Sequence, residues 1–110
     1  MTKKILECMP VTVTLRVIGG KWKPVILFAI QQSQPVRFNR LNREINGITQ
    51  KMLTQQLRQL ERDGLVHRKV YAEVPPRVEY SITKYGQTMT PVLKSMWKWG
   101  EKHKTRYPKI

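Results

Sequence analysis

Residues 49–63 constrain the fold of this chain more than any other segment, because their pattern predicts one amphipathic helix with defined ends. Thr49 is a favourable N-cap, and Asp63-Gly64 ends the helix. At 100° per residue, the apolar side chains fall within a sector of about 140°: Met52, Leu53, Leu57 and Leu60. The opposite sector is polar and basic: Gln50, Lys51, Thr54, Gln55, Arg58 and Arg62. A helix divided in this way needs a core on one side and is free to contact a partner on the other.

The composition supplies that core and indicates the kind of partner. The chain has 110 residues, of which 40% are hydrophobic, and we expect one domain over residues 1–110 with a core at about 8–103. Lys and Arg number 21 against seven Asp and Glu, a formal charge of +14. Such an excess favours a polyanion as the partner, either nucleic acid or an anionic membrane surface.

The longest apolar run, Val25 to Ile30, is too short to span a bilayer, and the N-terminus lacks a signal-peptide pattern, so we expect a cytoplasmic protein.

The order of predicted elements is that of a winged helix-turn-helix. Helices are predicted at 10–18, 21–31, 39–45 and 49–63, with Asn46-Gly47 as the turn before the last of these. Strands are predicted at 65–72 and 77–82, joined through Pro75-Pro76, and Thr83 caps a final helix that runs to about His103. We therefore predict a mainly α fold with a small β-hairpin, of the α+β class.

The polar face of the 49–63 helix is the predicted DNA contact. A major groove about 12 Å wide admits one α-helix, and residues near the N-terminus of that helix usually reach the bases. The residues assigned to base edges are Gln50, Lys51, Thr54 and Gln55, and those assigned to phosphates are Thr49 and Arg58. The alternative is that this face is only a solvated surface, as on any amphipathic helix.

The hairpin is predicted to act as a wing. Arg77 follows the stiff Pro-Pro tip, which would hold its guanidinium near the minor groove or a phosphate. The alternative is an ordinary ion pair with Glu73 or Glu79. Supporting contacts with phosphates are expected from Arg68, Lys69 and Arg37.

Four motifs of the sequence closely resemble those of the HxlR-type regulators. They are Ile18-Gly19-Gly20-Lys21-Trp22-Lys23, Arg37-Phe38-Asn39-Arg40-Leu41, the stretch from Gly47 to Leu57, and the stretch from Tyr71 to Tyr80. The resemblance covers about residues 8–103. It implies a bacterial winged-helix transcription factor, related in fold to MarR regulators, which binds double-stranded DNA, represses or activates, and dimerises through its terminal helices.

The residue pattern of the last helix also indicates a homodimer, independently of the resemblance. Its apolar stripe spans about 160° and holds two tryptophans, more than a small domain needs to bury against one neighbour. The predicted interface comprises Val11, Leu15, Met89, Val92, Leu93, Met96, Trp97 and Trp99. The alternative is that the whole stripe packs within one monomer. The two 49–63 helices of a dimer would contact DNA half-sites about 34 Å apart.

Cys8 is a candidate sensor of oxidants or electrophiles. It stands before a predicted helix and near Lys3 and Lys4, and both influences favour the thiolate. The resemblance implies such a role, since some relatives carry a sensing cysteine here, although their Cys-Pro is Cys8-Met9-Pro10 in this chain. The alternative is a small, half-buried residue without redox function.

No pattern in the sequence indicates catalysis. The only cysteine and two histidines do not have the spacing of a metal site, and no phosphate loop or nucleophile motif is present. We therefore predict no enzyme, no cofactor and no metal, and the sequence identifies no small-molecule effector.

A second function class stays open: a nonspecific nucleic-acid-binding or membrane-surface module. The basic residues are spread along the whole chain, and Lys94, Lys98 and Lys102 line the back of the last helix, where we do not expect contact with DNA. Sequence choice is therefore assigned mainly to the uncharged residues of the 49–63 helix.

Overall fold

The computed structural model describes residues 9–108, which fold into helices around a small antiparallel sheet. The elements in chain order are α1 (Pro10–Ile18), α2 (Lys23–Ser33), β1 (Val36–Arg37), α3 (Phe38–Glu44), α4 (Gln50–Arg62), β2 (Val66–Tyr71), β3 (Arg77–Ile82), a 3-10 turn (Gly86–Met89) and α5 (Thr90–Arg106). The mainly α winged helix-turn-helix architecture predicted from the sequence is confirmed. Within the described residues, no helix is long and apolar enough to cross a membrane.

Helix α2 is the centre of the core, as its apolar character on all sides predicts. Ile26 and Ile30 are completely buried, and they share one cluster with the apolar face of α4 and the inner face of the sheet. Pro24 lies in the first turn of α2, where a missing N–H group costs no hydrogen bond.

One residue of the predicted apolar face of α4 is not in the core. Met52 is 36% exposed, whereas Leu53, Leu57 and Leu60 are buried. At 100° per residue, Met52 lies about 80° or more from each of these leucines. It therefore stands at the boundary of the apolar face, where burial is incomplete.

The sheet has three strands in the order β1-β3-β2, so the predicted hairpin is extended by a short third strand. Val36 of β1 and Arg68 of β2 both pair with Tyr80 of β3. The inner half of the hairpin packs on the helices, while its outer half projects beyond them, so that Val70 is 54% exposed. That projecting half is the wing.

The last helix differs from the prediction at both ends. The Thr83 hydroxyl oxygen accepts a hydrogen bond from the Gly86 N–H (2.8 Å), but Thr83 is not the predicted N-cap, because Tyr85 precedes the 3-10 turn and Met89 precedes α5. The α-helix begins at Thr90, because Pro91 cannot donate an internal hydrogen bond and fits only in a first turn. It continues to Arg106 rather than His103.

Two residues assigned to the dimer interface lie against the monomer's own core. Leu93 is 2% exposed and belongs to the core cluster, and Met89 is partly buried against it. The apolar stripe of α5 therefore has a core-facing side and a separate exposed side. The candidate sensor Cys8 lies outside the described residues.

Candidate nucleic-acid interface

The turn between α3 and α4 holds α4 at a defined angle on the core. Gly47 has a φ of 88°, a left-handed conformation that glycine adopts without steric cost. The Asn42 side chain donates to the Ile48 carbonyl (3.3 Å), and the Thr49 hydroxyl oxygen accepts from the Met52 N–H (3.1 Å). The predicted N-cap is thus present, and one end of α4 is fixed by side-chain hydrogen bonds.

The outward face of α4 is exposed where the sequence predicted contact with bases. Gln50, Lys51 and Gln55 are exposed, and their side chains make no hydrogen bond or ion pair within residues 9–108. Thr54 is half-buried, and Arg58 is exposed one turn further along. The face therefore offers amide donors and acceptors flanked by cations, the groups that read base edges and bind phosphates.

A recess of about 160 Å³ joins α4 to the wing and carries opposite charges. Arg68 of β2 lies 3.4 Å (Nε to Oε2) from Glu61 of α4, and Arg58 lines the same recess. Burial raises the pKa of the Tyr80 hydroxyl at its base, and the charge of Arg68 acts in the opposite direction. Glu61 therefore offsets part of the positive charge that these arginines would present.

The wing arginine is held by its own hairpin. The Arg77 Nε lies 3.3 Å from Glu73 and 3.8 Å from Glu79, and its guanidinium carbon is 3.8 Å from the centre of the Tyr71 ring. Lys69 also lies over Tyr71, at 4.9 Å. The alternative considered for Arg77, pairing with Glu73 or Glu79, describes its position in this structure.

Tyr71 is a residue of the wing that sequence reasoning missed. It pairs directly with Arg77 in the strand register, so the two side chains lie on the same face of the hairpin. The signal that could have found it is the equal spacing of the two residues from Val74 at the centre of the turn, three residues on either side. Its ring sets the position of both Arg77 and Lys69.

The predicted supporting residue Arg37 lines a groove of about 490 Å³ together with Arg77. A neighbouring recess of about 380 Å³ is lined by Arg37, Arg40 and Arg43. Arg40 is paired with Glu44 at 2.8 Å, whereas Arg43 has no ion pair within the described residues. The structure thus brings Arg37 beside the wing and adds Arg43, which sequence reasoning did not assign.

The remaining residues of the predicted dimer interface are exposed apolar side chains on α1 and α5. Their exposed fractions are high: Val11 63%, Leu15 60%, Val92 39%, Met96 45%, Trp97 58% and Trp99 68%. Trp97 also packs on Phe28 of α2, with ring centres 5.5 Å apart. His103 stacks on Trp99 and contacts Tyr107, which extends the exposed aromatic surface along α5.

Known proteins are similar to this chain in sequence. A family model described as HxlR-like helix-turn-helix matches residues 17–108. YdeP of Bacillus subtilis, named as an uncharacterized HTH-type transcriptional regulator, is 51% identical over 104 residues, which cover 94% of this chain and 80% of YdeP.

Solved structures agree with these matches. The redox regulator HypR in its reduced form has a TM-score of 0.84 and 48% identity, covering 92% of this chain and 99% of that chain. A transcriptional regulator of the MarR family from Porphyromonas gingivalis W83 has a TM-score of 0.80 and 40% identity, covering 86% and 92%.

Proposed function

Because the chain belongs to the HxlR-like helix-turn-helix family and is a transcriptional regulator that binds DNA, we propose that it reads a pseudo-palindromic operator as a homodimer. The prediction that it is not an enzyme is confirmed, since the family and its relatives are transcriptional regulators.

The outward face of α4 is the observation that best supports sequence-specific DNA binding, and we call α4 the recognition helix. Lys51 and Gln55 lie one turn apart, exposed and without partners among the described residues, near the capped end of the helix. A capped, well-packed helix presents such side chains in a fixed register, which reading of base edges requires. We assign base contacts to Gln50, Lys51, Thr54 and Gln55, and phosphate contacts to Thr49 and Arg58.

The homodimer is supported by the apolar surface that one monomer leaves exposed. Val11 and Leu15 of α1, with Met96 and Trp99 of α5, are each at least 45% exposed. Large exposed apolar side chains at helical spacing are typical of an interface, and two-fold pairing buries the same patch on both copies. The two recognition helices would then meet half-sites about 34 Å apart.

Selection of bound duplexes from a random pool tests this proposal. We expect an inverted repeat whose half-sites are about one helical turn apart. Recovery of an enriched single half-site would contradict the dimeric reading. Recovery of no sequence preference at any salt concentration would leave a nonspecific binder and contradict the proposed function.

Removal of a carboxylate from the wing is expected to increase the affinity for DNA. Glu73→Gln removes one of the two acids that hold Arg77, and it also removes a negative charge near the phosphates. We expect tighter binding to all duplexes and a steeper dependence on salt, by about 0.9 in log–log slope if one more phosphate is contacted. Fluorescence anisotropy on the selected duplex and on a random one measures both quantities.

Arg77→Ala is the matched opposite change. It leaves Glu73 and Glu79 unpaired beside the phosphates, so we expect weaker binding on every sequence and a flatter salt slope. Arg77→Lys retains the charge but loses the planar stack on Tyr71. It should keep most of the affinity if Arg77 contacts a phosphate, and lose it if Arg77 only supports the hairpin. Unchanged affinity in both Arg77 variants would show that the wing arginine does not serve DNA binding.

We also propose that Cys8 makes DNA binding responsive to oxidants. Support comes from HypR, a redox regulator whose structure matches 92% of this chain, and from Lys3 and Lys4, which lie five and four residues before Cys8 in the sequence. With one cysteine per chain, a disulfide has to join two copies or a copy and a small thiol. Diamide is expected to change operator affinity in the wild type and not in Cys8→Ser. An equal response in both proteins, or none in either, would contradict this role.

A further inference from the structure

A row of four cations on α5 lies outside the surface assigned to the operator. Lys94, Lys98, Lys102 and Arg106 are spaced by four residues, so they form one stripe along the helix, and all four are exposed. We call them the α5 cation stripe. Four residues rise about 6 Å, so the stripe extends over about 18 Å.

The stripe is separated from the other two faces of α5. On a helical projection, Leu93 and Trp97, which contact the core and Phe28, lie on one side, and Met96 lies about 160° from Lys98. Trp99, on the proposed dimer face, borders the stripe near Arg106. Lys94 and Lys98 therefore stay at the surface both in the monomer and in the proposed dimer, whereas Lys102 and Arg106 line a recess with Trp99 at the edge of the dimer face.

Local helix chemistry does not account for these charges. Cations stabilise the last turn of a helix through its dipole, which suits Arg106, but Lys94 and Lys98 lie away from both end turns, where the dipole gives a cation no advantage. Like charges four residues apart also repel. The acidic residue of α5, Glu101, forms no ion pair within residues 9–108, so no close carboxylate pairs with these cations.

We propose that the α5 cation stripe binds the backbone of a second DNA duplex, outside the operator and without reading its sequence. At about 3.4 Å per phosphate along one strand, a stripe of about 18 Å matches about five phosphates. The proposal rests on the proposed function, since the operator contact holds the first duplex. A protein that carries two basic surfaces on different elements can bridge two DNA segments.

An anionic membrane is the less suitable partner for the same charges. A helix that lies on a bilayer inserts an apolar face beside its cations. In α5, Leu93 is buried in the core and Trp97 packs on Phe28, so that part of its apolar side is already covered. Duplex DNA requires only the exposed cations.

A capture experiment tests the bridge. A duplex that carries the selected site is fixed to beads, protein is added, and a labelled random-sequence duplex is supplied at several salt concentrations. We expect the wild type to capture the labelled duplex. Lys94→Gln with Lys98→Gln should capture less and lower the salt slope of capture by about 0.9 for each lysine removed, with affinity for the fixed site unchanged.

A second pair of lysines provides the matched control. Lys84→Gln with Lys104→Gln removes the same charge at exposed positions outside the stripe and should capture as the wild type does. Lys94→Arg with Lys98→Arg keeps the charge and should also retain capture. Equal loss in both Gln pairs, no capture by the wild type, or a stripe that binds phosphatidylserine vesicles in place of DNA would each overturn the proposal.

Failure of this inference is distinguishable from failure of the proposed function. If the wild type binds its selected site but captures no second duplex, only the role of the stripe is refuted. If selection finds no preferred sequence, the proposed function fails. In that case, capture with a random-sequence duplex both on the beads and in solution still decides whether Lys94 and Lys98 are required for bridging.

Discussion

Trp99→Glu is expected to yield a monomer of 13.0 kDa and to reduce operator affinity by about 10²–10⁴-fold. The side chain is 68% exposed in one copy, so the change leaves the monomer core intact. In the proposed dimer, it replaces a large apolar side chain of the interface with a charged one, whose desolvation opposes association. Each recognition helix would then bind its half-site without the gain that linkage to a second half-site provides.

Light scattering during size-exclusion chromatography measures the mass, and anisotropy on the selected duplex measures the affinity. Met96→Glu, on the same exposed face, should behave in the same way. Thr105→Glu adds the same charge at an exposed position of α5 that lies about 120° from Trp99 and about 180° from Met96. We expect Thr105→Glu to remain dimeric. A dimeric Trp99→Glu protein, or a wild type that is monomeric at the concentrations used, would refute the role of this face.

The sequence predicted the helices and the recognition face because these depend on local patterns. The period of apolar residues in α4, the Thr49 cap and the Pro75-Pro76 turn each act within one or two turns of chain, and all three agree with the structure. The bounds of β3, Arg77 to Ile82, were also predictable, since alternation of apolar and polar residues is typical of a strand.

The sequence could not divide the apolar stripe of α5 between the core and a partner. Leu93 and Met96 are both apolar and three residues apart, yet one is 2% exposed and the other 45%. The difference depends on where α2 crosses α5, and this is a tertiary property. The same holds for Arg77, whose carboxylate and aromatic neighbours are brought together by the hairpin register.

Gln55→Ala is expected to weaken binding to the selected operator by about 1–3 kcal/mol, or about 5- to 150-fold. The amide of Gln55 can donate to and accept from one base edge, and its removal leaves the base without that partner. Because the side chain is exposed and has no partner in the described residues, the change does not disturb the fold. Binding to random duplexes should be almost unaltered, and Lys51→Ala should cost a similar amount at the operator.

The contrast between the two kinds of duplex is the decisive quantity, because charge alone attracts this protein to any DNA. Gln32→Ala makes the same substitution at an exposed position at the end of α2 and should change neither affinity. If Gln55→Ala lowers affinity for operator and random duplexes equally, α4 contributes only general attraction, and the formal charge of +14 would be a sufficient account of binding. If only the operator loses affinity, the uncharged side chains of α4 select the site among the many sequences to which that charge attracts the protein.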